Sequence, residues 1–431
     1  MFMYDEEQQD DQEERLRART FPLSSTQLAL DVEIIVAGHI CLDITPALSE
    51  GVGALTPGRL VEVGKAGLAA GGQIAHTGLA LHKLGVNTGL MGKVGDDLFG
   101  QAIFRLLSSY DPKLVESMVV ATGEESAYSL LLGPPEGEPV VLHSAGCNTT
   151  FGAEDVRYEI LSKIALFHFG YPSMMARMYE DNGAELAQVF QRVKASGVTT
   201  SLDMCVPDPS TPAGQVNWRE ILMRTLPYVD VFLPGIEDLL FMLDRPLFDK
   251  LSSKSGKGSM LDKIKPDVIS QLSDTLLELG AKIVGIKCGH RGLYLRTANA
   301  EVLEDLGRAQ PTSLINWSER ELWAPCFETQ LVSSRGAGDA TIAGFLLGLL
   351  RGMQPVSTLA AACAVGACSV EAPDASSGIR SWPETLERIA AGWPRLLPKG
   401  KSRSPLDMQS FKWRWHETQE VWIGPGDSHY A

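Results

Sequence analysis

The 431-residue chain lacks any long hydrophobic run, and this absence excludes several classes of protein. Its longest uncharged apolar stretch, residues 340–350, covers about 11 residues, whereas a membrane-spanning helix needs roughly 18–20. The N-terminus is acidic and is not a basic segment followed by an apolar one, so no secretory signal is predicted. We therefore expect a cytoplasmic protein that has no membrane partner.

Paired cysteine and histidine motifs are also missing. The cysteines contain no CxxC pair, and the eight histidines form no HExxH motif. The seven cysteines are Cys41, Cys147, Cys205, Cys288, Cys326, Cys363 and Cys368. Scattered cysteines of this kind are typical of reduced thiols in the cytosol, and their spacing predicts no zinc site.

Positive charge is scarce, because the chain has 38 Lys and Arg residues but 53 Asp and Glu residues, which gives a net charge of −15. This balance argues against a nucleic-acid partner, although backbone N–H groups can bind phosphate even in an acidic protein. Apolar residues make up 44% of the chain, which predicts a folded globular protein. Acidic residues cluster within residues 1–30, which we interpret as a flexible tail or, alternatively, an ordered partner helix.

From residue 32 onward, short apolar segments rich in β-branched residues alternate with helix-like stretches. The predicted strands are residues 32–40, 88–94, 165–169, 198–204, 229–233 and 282–286. Helices are predicted at Ala184–Ala195 and at residues 267–279. This alternation predicts an α/β fold with a mostly parallel sheet and helices on both faces.

Three regions depart from this alternation. Tyr128–Leu132 and residues 140–143 flank a Gly- and Pro-rich turn, which predicts a β-hairpin that could act as a lid. Residues 249–265 are rich in Lys, Ser and Gly and predict a surface insertion. Residues 398–431 form an extension with three tryptophans that should pack on the body or on a second subunit, so the chain could form a homodimer.

The strongest chemical signal is Gly336-Ala337-Gly338-Asp339, which follows a strand-like segment and precedes the apolar residues 342–350. At such a place, free N–H groups and the positive end of the helix dipole stabilise an anion, most often phosphate. Asp339 should stay ionised there and could accept a proton from a hydroxyl group. A loop and a base together suit phosphoryl transfer to an alcohol, but a glycine turn with an aspartate that only caps the helix fits equally well.

A second glycine-rich segment contains Gly71-Gly72 before a helix-like stretch, followed by Leu84-Gly85 and by Gly-Lys-Val-Gly-Asp-Asp-Leu-Phe-Gly at residues 92–100. The glycine pair permits close approach of a small polar ligand. The segment has neither the GxxxxGK[ST] of a P-loop nor the GxGxxG of a dinucleotide-binding fold. Alone it therefore also fits an ordinary turn between a strand and a helix.

Together, the two segments resemble the two signatures of the PfkB, or ribokinase-like, carbohydrate kinase family. One signature is a Gly-Gly segment, a helix ending in Leu-Gly, and G-x-V-G-x-D-x-x-G; the other is [DT]-T-x-G-A-G-D. Their order and separation match as well, and the resemblance covers roughly residues 32–378. It implies a three-layer α/β/α ribokinase-like fold over residues 31–397, with a small β-lid formed by about residues 45–65 and 119–145.

The resemblance also implies roles for single residues. The catalytic positions are Asp339 as the general base and Gly336, Ala337 and Gly338 as the amides of an anion hole. The positions that bind the acceptor are Asp43, Gly71, Gly72 and His76. The positions that bind the nucleotide are Lys287, Gly289, Gly292, Gly235 and, loosely, Cys363. Asp238 or Glu237 would hold Mg²⁺.

Four positions depart from the pattern of the family. His76 replaces a substrate-binding Asn, and Gly235-Ile236-Glu237-Asp238 replaces the magnesium motif N-x-x-E. Ser333-Ser334-Arg335 replaces the Asp-Thr-Thr that helps to hold a monovalent cation in some relatives, which makes dependence on such a cation doubtful. Many family members have Asp-x-Asn where this chain retains only the aspartate, Asp203. Asp203 could also be a residue that only shapes a turn.

The resemblance implies that the chain uses ATP and Mg²⁺ to phosphorylate a hydroxyl of a sugar or sugar-like small molecule. A nucleoside kinase of the same fold is one alternative. A kinase-like protein that binds a sugar or nucleotide but is impaired in catalysis is the other, because several family positions are altered.

Overall fold

The computed structural model describes residues 32–48, 57–58, 60–133, 140–253, 260–396 and 408–429. The predicted acidic tail at residues 1–30 lies outside the described residues. No helix in the described ranges is long and apolar enough to cross a membrane.

Strands and helices alternate along most of the chain. The strands are β1 Ile34–Gly38, β2 Cys41–Pro46, β3 Ala66–Gly71, β4 Thr88–Met91, β5 Lys93–Gly95, β6 Val119–Ala121, β7 Tyr128–Leu132, β8 Val140–Ser144, β9 Leu166–Gly170, β10 Thr199–Leu202, β11 Val231–Phe232, β12 Ile283–Lys287, β13 Leu293–Thr297, β14 Glu321–Ala324, β15 Arg414–His416 and β16 Val421–Ile423. The α-helices are α1 Gly72–Lys83, α2 Leu98–Ser108, α3 Ala176–Tyr179, α4 Ala184–Ala195, α5 Pro212–Gln215, α6 Trp218–Thr225, α7 Ile236–Leu243, α8 Arg245–Ser252, α9 Pro266–Glu278, α10 Ala300–Leu303, α11 Leu314–Trp317, α12 Ala337–Leu350, α13 Pro355–Ser369 and α14 Trp382–Ala390.

A ten-stranded sheet forms the centre of the molecule, in the order β15-β16-β14-β13-β12-β11-β10-β9-β1-β4. The strands from β12 to β4 are parallel, and the others are antiparallel. Alternate residues of β1 face opposite sides, so Ile34 and Val36 join one apolar core while Ile35 and Ala37 join the other. Helices α1, α12 and α13 cover the first face, and α4, α7 and α9 cover the second. The predicted three-layer α/β/α fold is confirmed.

The predicted strands are present, but most of them are shorter than expected. The segment at residues 88–94 divides at Gly92 into β4, which joins the central sheet, and β5, which pairs with β6. A Cβ at position 92 would lie 2.5 Å from Cδ1 of Ile74, so a larger residue there would displace that methyl group.

The region of the predicted lid forms a separate four-stranded sheet in the order β3-β2-β7-β8, which we call the lid. Strands β7 and β8 pair antiparallel with Tyr128 opposite Ser144, as expected for the predicted hairpin. The other two strands, β2 and β3, lie mostly outside the predicted bounds of residues 45–65, and β6 pairs with β5 instead of joining the lid. The lid is therefore attached directly to the end of β1 through β2.

The C-terminal extension continues the central sheet, because β16 pairs with β14. Trp413 is only 2% exposed, and its ring centroid lies 5.9 Å from those of Tyr294 and Trp323. Packing of the tryptophan-bearing tail on the body is confirmed. The predicted surface insertion is only partly correct, since Leu251, Met260 and Ile264 are buried in the core although the segment is rich in polar residues.

Candidate active site

The candidate site lies where the parallel strands end. His39 follows β1, Tyr171 follows β9, Asp203 follows β10, and Lys287 is the last residue of β12. Ligands of open α/β sheets bind at the carboxyl ends of the strands, where polar side chains from distant parts of the sequence meet. Helix α12 begins at the same end, because Asp339 in its first turn contacts Tyr171.

Asp339 is the central residue of the site and is only 3% exposed. The hydroxyl of Tyr171 donates to its Oδ1 at 3.0 Å and to its Oδ2 at 3.1 Å. Nδ1 of His76 lies 3.2 Å from Oδ2. The carboxylate is thus held by two side chains in the first turn of a helix.

Tyr171 was not identified from the sequence. Its backbone has a positive φ of 58°, and burial raises the pKa of its hydroxyl well above the usual range. The hydroxyl therefore stays protonated and acts as a donor. A tyrosine directly after a predicted parallel strand was the available signal, but nothing in the local sequence connects it to Asp339.

The pKa of His76, which lies on α1, is shifted by its surroundings. Burial lowers the pKa of His76, but the carboxylates of Asp339 and Asp43 outweigh this effect and leave the pKa above its ordinary value. The nearby Arg335 guanidinium opposes that rise. His76 therefore keeps its proton, and with it an ion pair to Asp339, to a higher pH than an ordinary histidine does.

The predicted acceptor-binding residues lie together. Asp43 on β2 is 7% exposed, and a Cβ at position 71 would lie 2.3 Å from its Oδ1, so Gly71 leaves the space that the carboxylate fills. Gly72 has a φ of 83°, and a Cβ there would lie 2.7 Å from Nδ1 of His39. The glycine pair thus allows Asp43 and His39 to face the same region as His76.

The predicted anion-hole amides are not equivalent. The N–H of Ala337 donates to the carbonyl oxygen of Ser334 at 3.2 Å, so this predicted donor is already used. The N–H groups of Gly336 and Gly338 have no hydrogen-bond partner among the described residues. The side chain of Lys287 runs beside Gly338, since a Cβ at position 338 would lie 3.6 Å from Cδ and 3.9 Å from Nζ. Two free amides and a cation therefore line one side of the site.

A group of buried charges adjoins Lys287. Its Nζ donates to Oδ1 of Asp203 at 2.5 Å, while Oδ2 of Asp203 has no partner in the described part of the chain. Burial raises the pKa of Asp203 to about 6 and that of Asp238 to about 8, although Lys287 opposes both shifts. The other predicted metal ligand, Glu237, is adjacent and less buried. The raised pKa values show that too little positive charge faces these two carboxyl groups, and a hard divalent cation such as Mg²⁺ would supply it.

The remaining residues predicted to bind the nucleotide lie in different surroundings. Gly235 precedes α7 and donates its N–H to Asp238 at 2.6 Å. Gly289 and Gly292 form a tight turn after β12, and a Cβ at position 292 would lie 2.0 Å from the carbonyl oxygen of Ala324. Cys363 is 3% exposed, and its thiol donates to that same carbonyl at 3.7 Å inside the core. The structure therefore gives no support to a nucleotide contact by Cys363.

A sequence profile described as "pfkB family carbohydrate kinase" matches residues 33–382. The chain belongs to the pfkB family and is a carbohydrate kinase. It is 26% identical over 366 residues to the ATP-dependent ribose-1-phosphate kinase of Halopiger xanaduensis, covering 84% of this chain and 97% of that relative. It is 25% identical over 340 residues to the 2-dehydro-3-deoxygluconokinase of Bacillus subtilis, covering 78% and 89% of the two chains.

Solved structures show the same fold as this pfkB kinase. The ribokinase of Arabidopsis thaliana, complexed with ribose and ATP, superposes with a TM-score of 0.62 at 18% identity and covers 83% of this chain and 98% of that one. The fructokinase of Xylella fastidiosa with bound ATP superposes with a TM-score of 0.58 at 20% identity, covering 83% and 98%. At these identities, the similarity establishes the ribokinase-like fold.

Proposed function

We propose that this pfkB kinase transfers the γ-phosphoryl group of ATP to a hydroxyl of a sugar or sugar-like small molecule, with Asp339 as the general base. The observation that supports this proposal most strongly is the position of Asp339. Its buried carboxylate lies in the first turn of α12, beside the free amides of Gly336 and Gly338 and the ammonium group of Lys287. A base adjacent to an anion-binding loop is the arrangement that phosphoryl transfer to an alcohol requires.

In the proposed reaction, the acceptor lies against Asp43, Gly71-Gly72 and His76. Its hydroxyl replaces one of the two partners of Asp339 and donates its proton to the carboxylate. The hydroxyl oxygen then bonds to the γ-phosphorus as the bond to the ADP oxygen breaks. The amides of Gly336 and Gly338 and the ammonium of Lys287 stabilise the negative charge of the transferred group.

The cofactors are ATP and Mg²⁺. Asp203, Asp238 and the adjacent Glu237 are the residues that would hold Mg²⁺ or its water, because their oxygens are hard ligands and one oxygen of Asp203 lacks a partner in the described chain. When bound, Mg²⁺ neutralises phosphate oxygens of the nucleotide. Gly289 and Gly292 form the turn against which the nucleotide would lie.

We expect no requirement for a monovalent cation. Arg335 is half-buried at the start of the glycine loop, and it is close enough to His76 to lower the pKa of that imidazole. Its permanent charge would occupy the region in which some relatives hold the cation. Replacement of K⁺ by Na⁺ at constant ionic strength should leave turnover unchanged, and a strong preference for K⁺ would contradict this role of Arg335.

ADP release across a panel of acceptors tests the proposed function. The panel should contain neutral pentoses and hexoses, sugar acids, sugar phosphates and nucleosides. We expect turnover with sugars or their acids and phosphates, since the curated relatives are named for ribose 1-phosphate and 2-dehydro-3-deoxygluconate. Turnover with nucleosides alone would identify a nucleoside kinase. Thermal shifts with ligands but no turnover would identify a binding protein that has lost catalysis.

The ion pair between His76 and Asp339 predicts a pH dependence. The pKa of His76 lies above its ordinary value, so its imidazolium pairs with Oδ2 of Asp339 until the pH exceeds that pKa. As the pH rises through that pKa, the imidazolium loses its charge and the ion pair is lost, so the carboxylate of Asp339 becomes available to the acceptor hydroxyl and kcat/KM should rise. His76→Asn should remove this rise when kcat/KM is measured from about pH 6 to about pH 10.

His82→Asn provides the matched control, because His82 lies on the same helix in its last turn. This variant should keep the wild-type pH profile. If His76→Asn also keeps that profile, His76 does not cause the pH dependence of the reaction.

A further inference from the structure

Three side chains of metal-binding type meet at the junction between the central sheet and the lid. They are His39, which follows β1, Cys41, which begins β2, and His143 on β8. Their ligand atoms all lie within 4.8 Å of one another. The sequence separates the two histidines by 104 residues, so no spacing motif marks the cluster.

The two histidines are arranged as ligands of one ion. Their Nε2 atoms lie 3.3 Å apart. Bonds of 2.0–2.1 Å to a tetrahedral zinc ion place two nitrogen ligands about 3.3 Å apart. A sulfur ligand in the same coordination sphere lies about 3.5 Å from each nitrogen, and Sγ of Cys41 lies within 4.8 Å of a ring nitrogen of each histidine.

The surroundings of the cluster favour metal binding. The hydroxyl of Ser129 lies 3.0 Å from Nδ1 of His143, which orients the ring and leaves Nε2 for the metal. His143 is exposed, whereas His39 and Cys41 are buried, so an ion can approach from solvent on the lid side.

We propose that Nε2 of His39, Sγ of Cys41 and Nε2 of His143 bind one zinc ion, with water or the carboxylate of Asp43 as the fourth ligand. Binding breaks the S–H bond of Cys41, releases its proton to solvent and forms a zinc–thiolate bond, with no change of oxidation state. The ion joins lid strand β8 to the end of β1. A lid held in this way cannot open to exchange small molecules.

The zinc site adjoins the proposed acceptor site, because Sγ of Cys41 lies 3.4 Å from Oδ1 of Asp43. A bound ion therefore restricts access to Asp43. On the basis of the proposed function, zinc should inhibit the kinase in competition with the acceptor. The binding itself does not depend on that function.

Titration of the full-length protein with Zn²⁺ by calorimetry, and with Co²⁺ as a spectroscopic probe, tests the site in the absence of nucleotide. Wild type should bind one ion and show a thiolate-to-cobalt absorption band. Cys41→Ser should lose that band, and His143→Ala should bind at least about 100-fold more weakly. His143 is on an exposed strand, so its replacement should leave the fold intact.

Cys326→Ser and His416→Ala are the controls, because both residues lie outside the cluster. Both should bind like wild type. Absence of one-to-one binding by wild type, or equal binding by His143→Ala, would overturn the zinc site. A chain that binds zinc but transfers no phosphoryl group would instead refute the proposed function.

Discussion

Asp339→Asn should lower turnover by at least about 1,000-fold, while the affinities for ATP and the acceptor change little. The amide cannot accept the hydroxyl proton, but it has the same size as the carboxylate. It can also still accept the hydrogen bond from Tyr171. Steady-state ADP release gives the turnover number, and calorimetric titration gives the two affinities.

Asp244→Asn is the matched control. Asp244 also lies at the start of a helix, where it accepts a hydrogen bond from the N–H of Leu247 at 3.1 Å, and asparagine caps helices equally well. This control should therefore retain wild-type activity and stability. Wild-type turnover in Asp339→Asn would disprove the assignment of Asp339 as the base.

Lys287→Met should lower kcat/KM for ATP by about 100-fold or more. The ammonium group adjoins Gly338 and is the counter-charge of the buried Asp203, so the substitution removes a cation from the proposed phosphate site. Asp203 would then be buried without a partner beside Asp238, which should also reduce the free energy of unfolding by about 3 kcal/mol. Initial rates over a range of ATP concentrations and a urea denaturation curve measure the two effects.

Lys194→Met separates the kinetic effect from the loss of stability. Lys194 and Lys282 both donate to Oδ1 of the buried Asp230, at 2.7 Å and 2.8 Å, just before β11 and thus at the opposite end of the parallel strands. This variant should lose stability but keep the wild-type KM for ATP. An unchanged kcat/KM for ATP in Lys287→Met would show that Lys287 does not stabilise the transferred phosphoryl group.

Much of the fold could be predicted because it depends on local sequence patterns. Most strands of the parallel region are short apolar segments, with β10, Thr-Thr-Ser-Leu, as an exception, and the helix Ala184–Ala195 has the predicted bounds. The insertion at residues 249–265 was harder to interpret. The segment is polar in composition, so the local sequence does not indicate that Leu251, Met260 and Ile264 are buried in the core.

For the candidate site as well, local sequence patterns predicted some residues and missed others. Gly336, Gly338 and Asp339 were identified because a glycine loop before an apolar helix carries its chemistry within a few residues. The amide of Ala337 could not be excluded in advance, since its bond to Ser334 depends on the geometry of the turn. Asp203 fitted a turn residue until the structure placed it against Lys287 with one oxygen unpaired.

The sequence by itself determined the α/β architecture, the family signatures and the position of the proposed base, because each of these depends on neighbours in the chain. Only the tertiary structure placed Tyr171 and His76 on Asp339 and brought His39, Cys41 and His143 together. The scattered cysteines and histidines predicted no zinc site, because spacing along the chain cannot show which strands lie next to each other. Pairing of β2 with β7 and of β7 with β8 decides that contact, and pairing is a property of the folded sheet.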